Sequence, residues 1–198
     1  MVIVALPGFL GTGRDWDFLR DAGYDVVTTL QPCGDVLLGY SMGGRLALQA
    51  LLNGAQYERA VFISTRVSAA AEGREEWARR FETEDWTTLM RDWNAQPLFG
   101  GHVMPRREDD FDRRELARQL REWSPAALPP AEPRLHELAL PTLWIAGARD
   151  TKYVAEARRA AALAPNATLE IVDGAAHRVP WERPDAVVAS LRRFLGGR

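Results

Sequence analysis

Apolar positions along this chain fall into short β-branched runs separated by stretches of helical periodicity. Residues 2–6 (Val-Ile-Val-Ala-Leu), 36–40, 60–64, 142–146 and 169–172 read as buried strands. Residues 25–30 are also strand-like in composition. Between these runs, 15–22 predicts a short helix stopped at Gly23. Residues 43–52 predict a helix ended by Asn53-Gly54, and 184–194 a C-terminal helix. Strand and helix in alternation predict a parallel α/β sheet.

The alternation fails over residues 66–138. That stretch carries helical patterns, four of the seven tryptophans (Trp77, Trp86, Trp93, Trp123) and a proline-rich exit from Pro125 to Pro133. An all-helical insertion between two strands of a parallel sheet usually sits above the strand C-termini, where ligands bind. We read it as a lid within a single domain, inserted before the strand that leads to Asp150.

Chain reach adds a constraint. Only residues 31–34 separate the strand-like 25–30 from Asp35, whereas a parallel helical crossover needs about a dozen residues. The spacing therefore predicts that 25–30 is an irregular segment or an antiparallel edge strand. The sheet is then reduced and mostly parallel, with about five parallel strands and the first strand near an exposed edge. A homodimer covering that edge is a further expectation.

Composition changes little. The chain has 198 residues, is 46% hydrophobic and 26% charged, and sets 25 Lys and Arg against 27 Asp and Glu. These are the proportions of an ordinary soluble globular protein, and they give no reason to expect a nucleic-acid or membrane partner. Cys33 is the sole cysteine, which excludes an intrachain disulfide and fits a reducing compartment. No signal-peptide pattern opens the chain, so the cytoplasm is the expected location. Nothing in the sequence calls for a metal or cofactor.

The chemistry is concentrated in three loops. Gly39-Tyr-Ser-Met-Gly43 has the form G-x-S-x-G, with the buried run 36–38 before it and the helical Arg45-Leu-Ala-Leu after it. This is the strand–turn–helix context of the nucleophile elbow of the α/β-hydrolase fold, with Ser41 as nucleophile. A serine needs a base, and the base needs an orienting acid. In the order this fold uses, Asp150 closes the strand in Trp144-Ile-Ala-Gly-Ala-Arg-Asp150, and His177 follows another in Val172-Asp-Gly-Ala-Ala-His177. His102 and His136 have no comparable setting. An oxyanion would be held by two backbone N–H groups: Met42, after the nucleophile, and Phe9, in the Leu6-Pro-Gly-Phe-Leu-Gly11 loop.

Several stretches resemble the 2-succinyl-6-hydroxy-2,4-cyclohexadiene-1-carboxylate synthases of menaquinone biosynthesis. Pro7-Gly-Phe-Leu-Gly-Thr-Gly-Arg-Asp-Trp16 is similar to that family's first loop, with proline where histidine is usual. Gly39-Tyr-Ser-Met-Gly-Gly-Arg45 matches its elbow, and Gly147-Ala-Arg-Asp-Thr-Lys-Tyr153 its acid loop. Asp92-Trp-Asn-Ala-Gln-Pro-Leu-Phe99 resembles its lid motif, with Asn94 in place of tyrosine. The resemblance implies a lyase that eliminates pyruvate from a cyclohexene tricarboxylate, with Ser41 as proton-abstracting base and no acyl-enzyme. It also implies that Tyr40, Arg45, Arg74, Trp93 and Arg121 bind substrate, the arginines pairing with its carboxylates. A carboxylesterase or related acyl hydrolase, acting on an ester with the same triad, is the alternative. A non-catalytic binding protein of this fold is the third.

Overall fold

The computed structural model describes residues 1–70 and 74–196. Its centre is a six-stranded sheet of β1 (Val2–Leu6), β2 (Asp25–Val27), β3 (Cys33–Tyr40), β4 (Gln56–Ile63), β5 (Thr142–Gly147) and β6 (Ala167–Val172). Every strand pair is parallel, and the spatial order is β2-β1-β3-β4-β5-β6. Both faces of the central strands are covered, which is why they read as unbroken apolar runs. Ile3 and Ala5 point into one cluster with Trp16, Leu19, Val187 and Leu191. Val4 and Leu6, alternating with them, point into the other with Ala47, Leu48, Phe62 and Trp144. Phe62 and Trp144 stack across β4 and β5 with ring centroids 4.3 Å apart.

Helices α1 (Asp17–Asp21), α7 (Val179–Glu182) and α8 (Pro184–Gly196) supply the first cluster, while α2 (Met42–Leu52) and α6 (Thr151–Leu163) supply the second. Between β4 and β5 the chain leaves the sheet for α3 (Glu75–Thr83), α4 (Trp86–Asn94) and α5 (Arg113–Glu122), joined by short 3₁₀ turns. These helices close on a third apolar cluster of Phe81, Leu89, Trp93, Phe99, Leu116 and Leu120, which also takes in Leu10 of the loop after β1. The insertion is thus packed onto that loop. Among the described residues no helix is long and apolar enough to cross a membrane.

The structure corrects the expectation for residues 25–30 and for the sheet. Asp25–Val27 is a parallel strand at the edge, with Val2, Ile3 and Val4 opposite Asp25, Val26 and Val27. The sheet is therefore all parallel and six-stranded, with β1 one place in from the edge. Chain reach forbids a parallel strand over all of 25–30, but β2 is only three residues long. Val27 lies level with Val4, and Val36 level with Ile3, which puts Cys33 four residue levels below Val27. The chain then has to drop ~13 Å and cross ~10 Å, about 16 Å in all, and six residue steps reach ~20 Å. A three-residue strand makes a helix-free crossover feasible. One visible consequence is that Val27 and Leu30 are exposed, at 38% and 43%.

Candidate active site

Ser41 stands where β3 turns into α2. Its backbone is held at φ 52° and ψ −111°, a conformation that L-residues with a side chain rarely adopt. Close packing around the turn forces it. A Cβ on Gly39 would lie 2.5 Å from the Gly44 Cα, and one on Gly43 would lie 2.3 Å from the Leu6 and Pro7 carbonyl oxygens. The spacing of the two glycines thus records how tightly β3, α2 and the loop after β1 are pressed together. Strain of this kind persists only where surrounding structure fixes it.

The three expected side chains meet. His177 Nε2 lies 3.0 Å from Ser41 Oγ, and His177 Nδ1 lies 2.8 Å from Asp150 Oδ2. Asp150 ends the turn after β5, and its other oxygen accepts the Tyr153 N–H at the start of α6. His177 and Asp150 are 2% and 5% exposed. Burial pushes the imidazole below its ordinary value, and hydrogen bonding and charge from Asp150 offset this only in part. A neutral imidazole at neutral pH can accept the serine proton.

The backbone of His177 is gripped as well. Its N–H donates to the Leu98 carbonyl of the helical insertion at 3.3 Å. Its carbonyl accepts from the Ser64 hydroxyl at 2.8 Å, where Ser64 is fully buried and has φ +48°. The Tyr153 ring meets the imidazole edge-on at 4.3 Å. Leu98 belongs to the Gln-Pro-Leu-Phe stretch, so part of that motif serves to hold the histidine.

A cavity of about 890 Å³, its open mouth included, lies over Ser41. Phe9, Tyr40, Met42, Arg45, Arg74 and Trp93 all line it. The Met42 N–H belongs to the first turn of α2 and has no intrahelical acceptor. The Phe9 N–H has no acceptor among the described residues, and the Phe9 ring is wedged against Phe81 and Trp93 at 5.0 Å. Two N–H groups are thereby free for an oxyanion. Arg45 is 7% exposed, its guanidinium makes no ion pair or hydrogen bond among the described residues, and its Nη1 is buried and unsatisfied. Burial brings it down to about 10, so it is still cationic at neutral pH.

Arg121 is placed elsewhere, which corrects its expected role. Its guanidinium is forked between Glu75 and Glu82 of α3, at 2.9 and 2.7 Å, and does not line the cavity. Leu120 faces the cavity instead, and the next residue on a helix is turned ~100° away. Arg178, Tyr153 and Arg106 are among the lining residues that sequence reasoning missed. Arg178 directly follows His177 and Tyr153 lies three residues after Asp150, so adjacency to the triad was the available signal. Arg106, ion-paired to Asp15 at 2.7 Å, had no sequence signal. Among the described residues no group of three His, Cys, Asp or Glu side chains could hold a metal.

Comparison with known proteins agrees with this fold. Residues 2–190 match the alpha/beta hydrolase family. A 2-succinyl-6-hydroxy-2,4-cyclohexadiene-1-carboxylate synthase of Salmonella heidelberg is 32% identical over 174 residues, covering 80% of this chain and 67% of the relative. Among solved structures, MenH from S. aureus superposes with a TM-score of 0.85 at 23% identity, covering 99% of this chain and 93% of that one. A thermophilic esterase from Thermogutta terrifontis, solved with malate bound, gives 0.77 at 19% identity over 99% and 89%. With a strained serine at a strand–helix elbow, a histidine and an aspartate converging on it, and these likenesses, the chain is an enzyme that belongs to the alpha/beta hydrolase family.

Proposed function

We propose that this enzyme is a carbon–oxygen lyase that eliminates pyruvate from a cyclohexene carboxylate, as in menaquinone biosynthesis. The observation that carries the reading is Arg45. A buried guanidinium without a counter-ion is costly, and it lies in the same cavity as Ser41. A carboxylate-bearing substrate would supply the missing partner. An enzyme for neutral esters has no use for it. The likeness to the Salmonella synthases supports the same choice.

In this reading Ser41, His177 and Asp150 act as one base. The Ser41 hydroxyl donates its proton to His177 Nε2 as its oxygen takes a proton from a ring carbon of the substrate. The carbanion is delocalised onto an adjacent carbonyl oxygen, where the Phe9 and Met42 N–H groups stabilise the charge. The electron pair then expels the enol ether oxygen as the enolate of pyruvate; the His177 imidazolium gives up its proton to it, which restores the base, and the resulting enol tautomerises to the ketone. Asp150 holds the imidazole in its tautomer and stabilises the imidazolium. Tyr40 and Trp93 shape the wall, and Arg45 and Arg74 bind carboxylates.

The second reading is a serine esterase, favoured by the triad itself and by the esterase among the similar structures. The test is to measure pyruvate release from the cyclohexene precursor beside hydrolysis of short p-nitrophenyl esters. Pyruvate release at many turnovers per second with weak ester turnover supports the lyase. Rapid ester turnover with an acyl burst and no pyruvate supports the esterase.

A further inference from the structure

Arg45 is not the sole buried cation on the cavity wall that lacks a carboxylate. Arg178 is 3% exposed and makes no ion pair among the described residues. Its Nη1 donates to the Asn94 Oδ1 and to the His102 carbonyl, each at 2.6 Å. Its guanidinium carbon lies 3.7 Å over the Phe99 ring. These neutral partners fix the group's orientation without cancelling its charge. Its Nε and Nη2 donate to no protein atom among the described residues, and Arg178 lines the cavity.

The contrast with Arg106 is informative. That arginine lines the same cavity, and Asp15 neutralises it through two contacts of 2.7 and 2.8 Å. Carboxylates near the other two are occupied elsewhere. Glu156 accepts from Val67 and Ser68, and Glu182 accepts from the Ala176 N–H. The surroundings of the two unpaired cations do not overlap. Arg178 is held against Asn94, Phe99 and His102, whereas Arg45 lies beside Arg66, Val67 and Ser68. Two separate unpaired guanidiniums in one cavity specify a ligand with two anionic groups.

We infer that Arg178 is a further carboxylate-binding residue beside those already named, so that the cavity takes a small ligand with at least two carboxylates, one on Arg45 and another on Arg178. This rests on the reading of Arg45 given above and adds a residue and a charge requirement to it.

The test is binding, read from the fluorescence of Trp93, Trp123 and Trp181, which line the cavity. The probes are 2-succinylbenzoate, a stable aromatic dicarboxylate, and its two mono-methyl esters. Loss of a charge-assisted contact should weaken the dicarboxylate about 10- to 100-fold in Arg178→Gln. The same variant should weaken one mono-ester likewise and change the other less than about threefold. Arg45→Gln should give the crossed pattern, and Arg178→Lys should recover part of the loss.

An Arg178→Gln variant that weakens all three probes alike, or none, would mean that the guanidinium only props Asn94 and the chain at His102, and overturns the inference. So would a wild-type enzyme that binds the mono-esters as tightly as the dicarboxylate. Pyruvate release is assayed separately. Crossed binding without pyruvate would leave this inference standing and remove the lyase, and pyruvate without crossed binding would do the reverse.

Discussion

Replacing Arg45 with methionine should move stability and substrate affinity in opposite directions. The guanidinium is 7% exposed and has no ion-pair partner among the described residues, and burial lowers it from its ordinary value to about 10. That depression corresponds to about 3 kcal/mol of penalty on the charged form, which the unliganded protein carries at neutral pH. Methionine removes the charge and retains much of the apolar stem, at some loss of packing. A net gain of about 1–2 kcal/mol is expected, which for a chain of this size raises Tm by roughly 2–8 °C. The same change deletes a charge-assisted contact to a carboxylate, worth ~1.5–3 kcal/mol, so KM should rise about 10- to 150-fold. Hydrolysis of a neutral p-nitrophenyl ester should change little. Calorimetry without ligand, combined with steady-state pyruvate kinetics, reads both effects. A variant that melts lower and keeps its KM would refute the reasoning, because Arg45 would then be a structural cation with a partner.

Asp150→Asn should leave the fold intact and lower kcat by as much as ~10⁴, through the wrong histidine tautomer; an unchanged rate would mean that another group orients His177. The pH profile of kcat/KM should be flat at neutral pH and fall on the acid side with an apparent pKa below the ordinary 6.5, because His177 is buried and must be neutral to act. A midpoint above 6.5 would show that the Asp150 carboxylate outweighs burial. Ser64→Ala should cost about 1–3 kcal/mol in denaturant unfolding, since it leaves the buried His177 carbonyl without its donor and keeps a Cβ at positive φ; no loss would mean that this contact does not hold the histidine loop.

The local patterns were legible because each is dictated by short-range physics. A buried parallel strand must be apolar on both faces, so 2–6, 36–40 and 142–146 announced themselves. The elbow did likewise, since only glycine fits where Gly39 and Gly43 touch other backbone. Residues 25–30 were misjudged because a strand's length was inferred from composition, and only Asp25–Val27 pairs. Arg121 was misplaced because a motif match fixes a residue's position along the chain and leaves the helix's rotation open, and here that rotation delivers it to Glu75 and Glu82. Arg106 could not be foreseen, since its partner Asp15 is 91 residues away.

The central claim is that Ser41 acts as a base and forms no covalent intermediate. Intact-protein mass spectrometry during a single turnover of the cyclohexene precursor, with pyruvate measured in the same quench, tests it directly. The account predicts one pyruvate per site, no mass added to the chain at any time, and no pyruvate from Ser41→Ala. A transient adduct on Ser41, or pyruvate formed at the wild-type rate without that serine, would contradict it.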